Sequence, residues 1–304
     1  MKLLIAGGTG FIGQHAIHHL QKNHQITVLT RDVKKAKALL PKINAISWQD
    51  NTLKSVMGNM DAVINLVGEN IGEKRWSQSV KETILNSRSH TTAMLCSLII
   101  ELTKHDRPRL LNASAIGVYG LQPDITSQNN HTYEENSALP NPPSDFLSEV
   151  GQAWEKPLME ASELDVVIMR FGVVLHSSGG MLKKVSLPFK LGFGGRIGSG
   201  EQPFSWIALD DVVALIANLL DNPEQTGVFN FVAPEVVTQQ VFARTFAAFL
   251  NRPCFIPMPA FIVKLLFGQM GNELLLQGQS VRTERLKDFP FKYPSLEKAL
   301  SHRQ

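Results

Sequence analysis

The nine residues IAGGTGFIG, Ile5 to Gly13, constrain the chain more than any other stretch. They set Gly7, Gly10 and Gly13 between the apolar run KLLIA and a helix-like segment. Residues without a Cβ let the backbone turn tightly from strand into helix, and let a pyrophosphate approach the N–H groups of the helix N-terminus. A glycine triplet alone is a weak signal; at the first strand-to-helix turn of an alternating pattern it is a strong one. That alternation is present. KLLIA, QITVLT, NAISW, DAVINLVG, PRLLNASA and DVVIMRFG read as strands, and segments 11–22, 33–40, 77–104 and 145–163 read as helices. Near-continuous Val, Ile and Leu in these strands implies burial on both faces. The expected fold class is α/β, a Rossmann-like doubly wound parallel sheet. It would occupy residues 1–172, with some later segments returning to it, and residues 173–304 would form a smaller substrate lobe with a C-terminal helical extension.

The loop predicts a dinucleotide, with Gly7, Thr9, Gly10, Phe11, Ile12 and Gly13 around its phosphates. At the end of the second strand an NAD enzyme places a carboxylate against the ribose hydroxyls; here QITVL ends in Thr30 and Arg31. An arginine there pairs with a 2′-phosphate, so NADP(H) is favoured over NAD(H). A one-residue shift would instead bring Asp32 to the ribose. Leu66, Val67 and Gly68, ending the fourth strand, would line the cofactor from the other side.

Other classes are disfavoured. The 30 basic and 27 acidic residues are interspersed, so charge makes no case for nucleic acid or membrane. Cys96 and Cys254 are far apart, without zinc or disulfide spacing, which fits a reducing compartment with the cytoplasm as default. His15, His18 and His19 have helical spacing but no acidic or cysteine partner, so they read as surface residues rather than metal ligands. PAFIVKLLFG, the most membrane-like segment, falls short of the ~20 apolar residues a span needs and is expected to be a buried helix.

AGGTGFIG, INLVGENIGEKRW, SAIGVYG, DFLSEVGQAWE, RFGVVL and PFKLGFGGRIGSGEQPFSWI together resemble the extended short-chain dehydrogenase/reductase superfamily, and within it the atypical epimerase-like group often labelled YfcH-type. The resemblance covers essentially the whole chain. The tail, RPCFIPMPAFIVKLLFG through LLLQGQSV, is similar to the small C-terminal domain of unknown function of that group. The resemblance implies a Tyr acid/base, a Lys that lowers its pKa, and a Ser that fixes the substrate. Registration against VYG and Glu155 puts those three positions on Leu147, Gly151 and Ala115. No phenol or amine occurs in FLSEVG at any register.

Replacements are expected at the C-terminal ends of the strands: Ser114, Tyr119 and Glu69, with Glu149 at the vacated helix start. Arg75, Trp76, Arg88, Arg170, Arg196, Ser205 and Trp206 are the substrate-binding candidates, since a cation beside a rigid aromatic suits a ring and an anion. The function expected is an NADP(H)-binding oxidoreductase or nucleotide-sugar epimerase-like protein acting on a small or nucleotide-linked substrate. The alternative is a non-catalytic NADP(H)-binding regulator or sensor.

Overall fold

The computed structural model describes residues 1–122 and 131–301. Its elements run β1 (Lys2–Ala6), α1 (Phe11–Leu20), β2 (Gln25–Thr30), α2 (Val33–Leu39), β3 (Asn44–Ser47), α3 (Leu53–Met57), β4 (Ala62–Asn65), α4 (Gln78–Ile100), β5 (Arg109–Ala115), α5 (Phe146–Glu160) and β6 (Val166–Phe171). The later half runs β7 (Val173–His176), α6 (Gly180–Lys190), β8 (Pro203–Phe204), β9 (Trp206–Ala208), α7 (Leu209–Asp221), β10 (Gly227–Phe231), β11 (Val237–Thr238), α8 (Gln239–Phe249), α9 (Ala260–Leu274) and α10 (Leu296–Ser301).

Seven strands form one parallel sheet in the order β3-β2-β1-β4-β5-β6-β10. The strand order reverses between β1 and β4, which opens a crevice at their C-terminal ends. Side chains alternate across the sheet: Leu3 and Ile5 of β1 enter one core with Ile17 of α1 and Ile216 of α7. Leu4 and Ala6 enter the other core with Leu95 and Ile99 of α4. β10 lies 55 residues beyond β6 in sequence yet pairs with it from Val167 to Phe171, so the late chain completes the sheet.

The remaining elements gather a second core in which Trp206 and Ala208 of β9 meet Phe242 and Phe246 of α8. α9 is a helix, but not the buried one expected from its apolar sequence. Val263 is covered, whereas Phe261 and Leu265 are 69% and 72% exposed. Among the described residues no helix is long and apolar enough to cross a membrane.

Candidate functional site

The glycine-rich loop between β1 and α1 is built by close approach. Gly7 holds a φ of +80°, and a Cβ on it would stand 2.6 Å from the Leu66 carbonyl oxygen. A Cβ on Gly13 would stand 2.3 Å from the Gly7 carbonyl oxygen, so glycine there lets α1 seat against the loop. Gly10 is different. A Cβ there meets only the Gly7 oxygen at 3.2 Å and is otherwise in open space. Gly10 is also the N-cap of α1, and no side chain caps the helix. The N-terminal N–H groups and the dipole therefore face an uncovered crevice, the arrangement that receives an anion.

A groove of about 440 Å³ starts from this loop, lined by Gly7, Thr9 and Gly10, by Thr30 and Arg31, and by Leu66, Val67, Gly68 and Glu69. The residues present fit a dinucleotide. Phe11, Ile12 and Gly13 form the first turn of α1 but do not line the groove: Phe11 lies against Gly179, Ile12 packs on the core, and Gly13 sits against the Gly7 carbonyl. Asp32 caps α2 by accepting from the Lys35 N–H at 2.9 Å, which commits its carboxylate to the helix and leaves Arg31 at the groove. Sequence reading missed Trp48, Gln49, His90 and Met94 as lining residues. They sit just after β3 and on the groove side of α4, where no glycine or charge pattern marks them. Another depression, lined by Lys2, His24 and Asn44, lies at the opposite ends of the strands, where such sheets do not bind dinucleotides.

The three positions of the superfamily's catalytic groups are filled in a way that excludes those groups. Leu147, in the first turn of α5, packs against Gly117. A Cβ at Gly151 would lie 2.9 Å from the Val118 Cα, so α5 sits too close to the turn 116–119 to carry a lysine. Ala115 ends β5 without a hydroxyl, and its neighbour Ser114 does not stand in for it. Successive strand residues point to opposite faces, and Ser114 is turned inward to donate to Glu155 at 2.6 Å.

Tyr119 and Arg170 join the same buried network. Arg170 binds both oxygens of Glu155, at 2.8 and 2.6 Å, and donates to the Tyr119 hydroxyl, which donates to Asn230. Burial raises the Tyr119 phenol, against the lowering influence of Arg170. The expectation that Ser114, Tyr119 and Arg170 face substrate is therefore corrected: their polar atoms are engaged with one another beneath the cleft. Glu69 remains at the end of the groove.

The other expected substrate residues divide by placement. Arg88 is buried. It donates to the carbonyls of Ile84 and Glu69 and stacks near Trp154, holding the loop after β4 rather than presenting a free charge. Ser205 is tied to Gln279 and Val281, and Trp206 lies wholly within the second core. Trp76 donates to the Ile71 carbonyl and meets Phe146 edge-on at 4.8 Å. Arg75 lies against Gly268, whose φ of +59° kinks α9, and Arg196 is exposed on the loop after α6. His15, expected at the surface, is half-buried with its ring 4.6 Å from that of His176.

A carboxylate from the far end of the chain reaches the backbone of the first turn of α5, where Leu147 stands. Glu273 of α9 is 6% exposed and accepts from the Leu147 N–H at 3.3 Å, while Gln269 donates to its other oxygen at 2.7 Å. Burial raises its pKa, and the nearby charge of Asp145 adds to the effect. No local sequence pattern marks Glu273, because its partner lies 126 residues away.

Residues 3–231 match the NAD dependent epimerase/dehydratase family, and residues 258–302 match a domain of unknown function, DUF1731. The chain is 38% identical over 302 residues to the epimerase family protein SSP1921 of Staphylococcus saprophyticus, covering 98% of this chain and 97% of that one. It is 35% identical over 306 residues to the human epimerase family protein SDR39U1, covering 99% and 98%. The crystal structure of human SDR39U1 with NADPH superposes with a TM-score of 0.83 at 33% identity, covering 99% of this chain and 98% of that one.

Proposed function

Because the chain belongs to the NAD dependent epimerase/dehydratase family, we propose that it is an NADP(H)-dependent epimerase-like oxidoreductase whose proton transfer does not use a Tyr–Lys pair. The observation that carries this reading is the groove running from Arg31, past the open Gly10, to Glu69 at the switch point of the sheet. Gly7, Thr9 and Gly10 would hold the pyrophosphate, and Arg31 the 2′-phosphate. A relative of this chain being crystallised with NADPH supports the same assignment. The cofactor, when bound, supplies a hydride. The substrate would be a small or nucleotide-linked carbonyl or alcohol held by the segment after residue 172.

Hydride exchange at a C–OH carbon requires the hydroxyl proton to move, and a group of suitable pKa must take or give it. In this proposal Glu273 does so. Its raised pKa keeps a fraction protonated nearer neutrality than an ordinary carboxyl, and Gln269 and the Leu147 N–H fix its orientation. Acting as an acid toward a carbonyl, it would support a rate that falls as pH rises through its raised pKa. Glu69 is the second carboxylate of the proposal.

Cofactor selectivity is the first test. Wild-type protein is expected to bind NADPH more tightly than NADH. Arg31→Ala should lose about 1–3 kcal/mol of NADPH affinity, as for a hydrogen-bonded charge, with little change toward NADH. Titration calorimetry with both nucleotides measures this, and equal wild-type affinities would defeat the assignment.

A further inference from the structure

We propose that the face formed by α6, the loop after it and the start of α9 docks on an anionic lipid surface. Two distant segments lie side by side there. Arg252 donates to the Lys190 carbonyl at 2.7 Å, the Met258 N–H bonds the Arg196 carbonyl, and the Gly198 N–H bonds the Met258 carbonyl. The joined segments expose Leu187, Leu191 and Phe193 from one side and Phe255, Phe261 and Leu265 from the other, with Phe255 reaching 74%. Single exposed apolar residues are ordinary, but side chains of this size gathered on one structural unit mark an interaction site.

Charge selects the occupant. Exposed Lys183, Lys190, Arg196, Arg252 and Lys264 stand among these apolar groups. No Asp or Glu occurs between Ser177 and Gly200 or between Arg252 and Asn272. The near-neutral whole-chain balance conceals this, because the acids lie elsewhere. A second copy would bring two such basic faces together without counter-charges. Protein interfaces are depleted in lysine, whereas here exposed lysines flank the Phe and Leu side chains on both segments. Phe and Leu beside Lys and Arg, on a surface too short to span, is the composition of a unit that rests in the interfacial layer of a bilayer.

Flotation of the full chain with vesicles tests this, comparing phosphatidylcholine alone with equal parts phosphatidylglycerol and phosphatidylcholine. The bound fraction is expected to be about tenfold higher with phosphatidylglycerol and to fall as salt is raised. Phe261→Glu with Leu265→Glu should lose about tenfold or more of that binding, and Lys264→Glu alone about fivefold. Circular dichroism and NADPH titration of each variant confirm that the fold and the cofactor groove are unchanged, so this proposal fails or stands apart from the catalytic one. Absence of flotation with phosphatidylglycerol would overturn it. So would binding unaffected by the double variant, or self-association abolished by that variant in a chain that does not bind vesicles.

Discussion

Glu155→Ala is expected to cost about 3–5 kcal/mol of stability, a large part of the roughly 5–15 kcal/mol that holds a folded chain together. Glu155 and Arg170 are each only 3% exposed at the side chain, and the carboxylate is the counter-charge of the guanidinium. Burial alone would lower the Arg170 pKa, but the hydrogen bonds and charge of Glu155 outweigh it and raise it. Removing the carboxylate leaves a buried cation uncompensated and strips Ser114 of its acceptor. Glu155→Gln should lose less, because it keeps the shape and one acceptor oxygen. Denaturant melts give the numbers, with an unchanged slope showing that the unfolded state has not shifted. A loss below about 1 kcal/mol would mean that the network relaxes or admits water.

Gly10→Val is expected to abolish cofactor binding while the chain stays folded. Its added Cβ has only the Gly7 oxygen to avoid, but its methyls would stand in the open crevice before the α1 N-terminus. Loss of at least about 100-fold in NADPH affinity, about 2.8 kcal/mol, is expected with a native circular-dichroism spectrum. Gly13→Ala makes the contrast. Its Cβ would strike backbone at 2.3 Å, so the damage should appear in thermal stability as well as in binding. Tight NADPH binding by folded Gly10→Val would show that the loop does not hold phosphate.

The sheet was legible because each of its first six strands carries its own local signal: an apolar run, a period and a turn. The strand bounds expected from sequence agree with β1, β2 and β5 to within a residue or so. β8, β9 and β11 have two or three residues each and left no pattern to read. The tight turn of the glycine loop was legible for the same local reason, since glycine spacing between a strand and a helix marks a close backbone approach. The chemistry beyond it was not. Whether Ser114 faces the cleft or the core depends on strand phase and on a carboxylate 41 residues away, and Tyr119 is captured by Arg170 at a separation of 51. α9 shows a related limit. Apolar content announced a helix, yet whether another element covers its outer face is a property of the assembled chain, and among the described residues none covers Phe261 or Leu265.

In the proposed mechanism redox chemistry proceeds without the Tyr–Lys pair. Its most direct test is stopped-flow oxidation of bound NADPH against a panel of small carbonyl compounds and keto nucleotide sugars, in wild type, Glu273→Gln and Tyr119→Phe. The wild type is expected to oxidise NADPH with at least one member of the panel. Glu273→Gln should slow that step by about 10²–10⁴-fold, the range for loss of a positioned acid or base, with NADPH affinity retained. Tyr119→Phe should leave the rate constant unchanged, because that hydroxyl is enclosed between Arg170 and Asn230. Full turnover in Glu273→Gln, or loss of turnover in Tyr119→Phe, would contradict the proposed mechanism. Tight NADPH binding with no oxidation across the panel would contradict it as well, in favour of a protein that binds the nucleotide as a regulator.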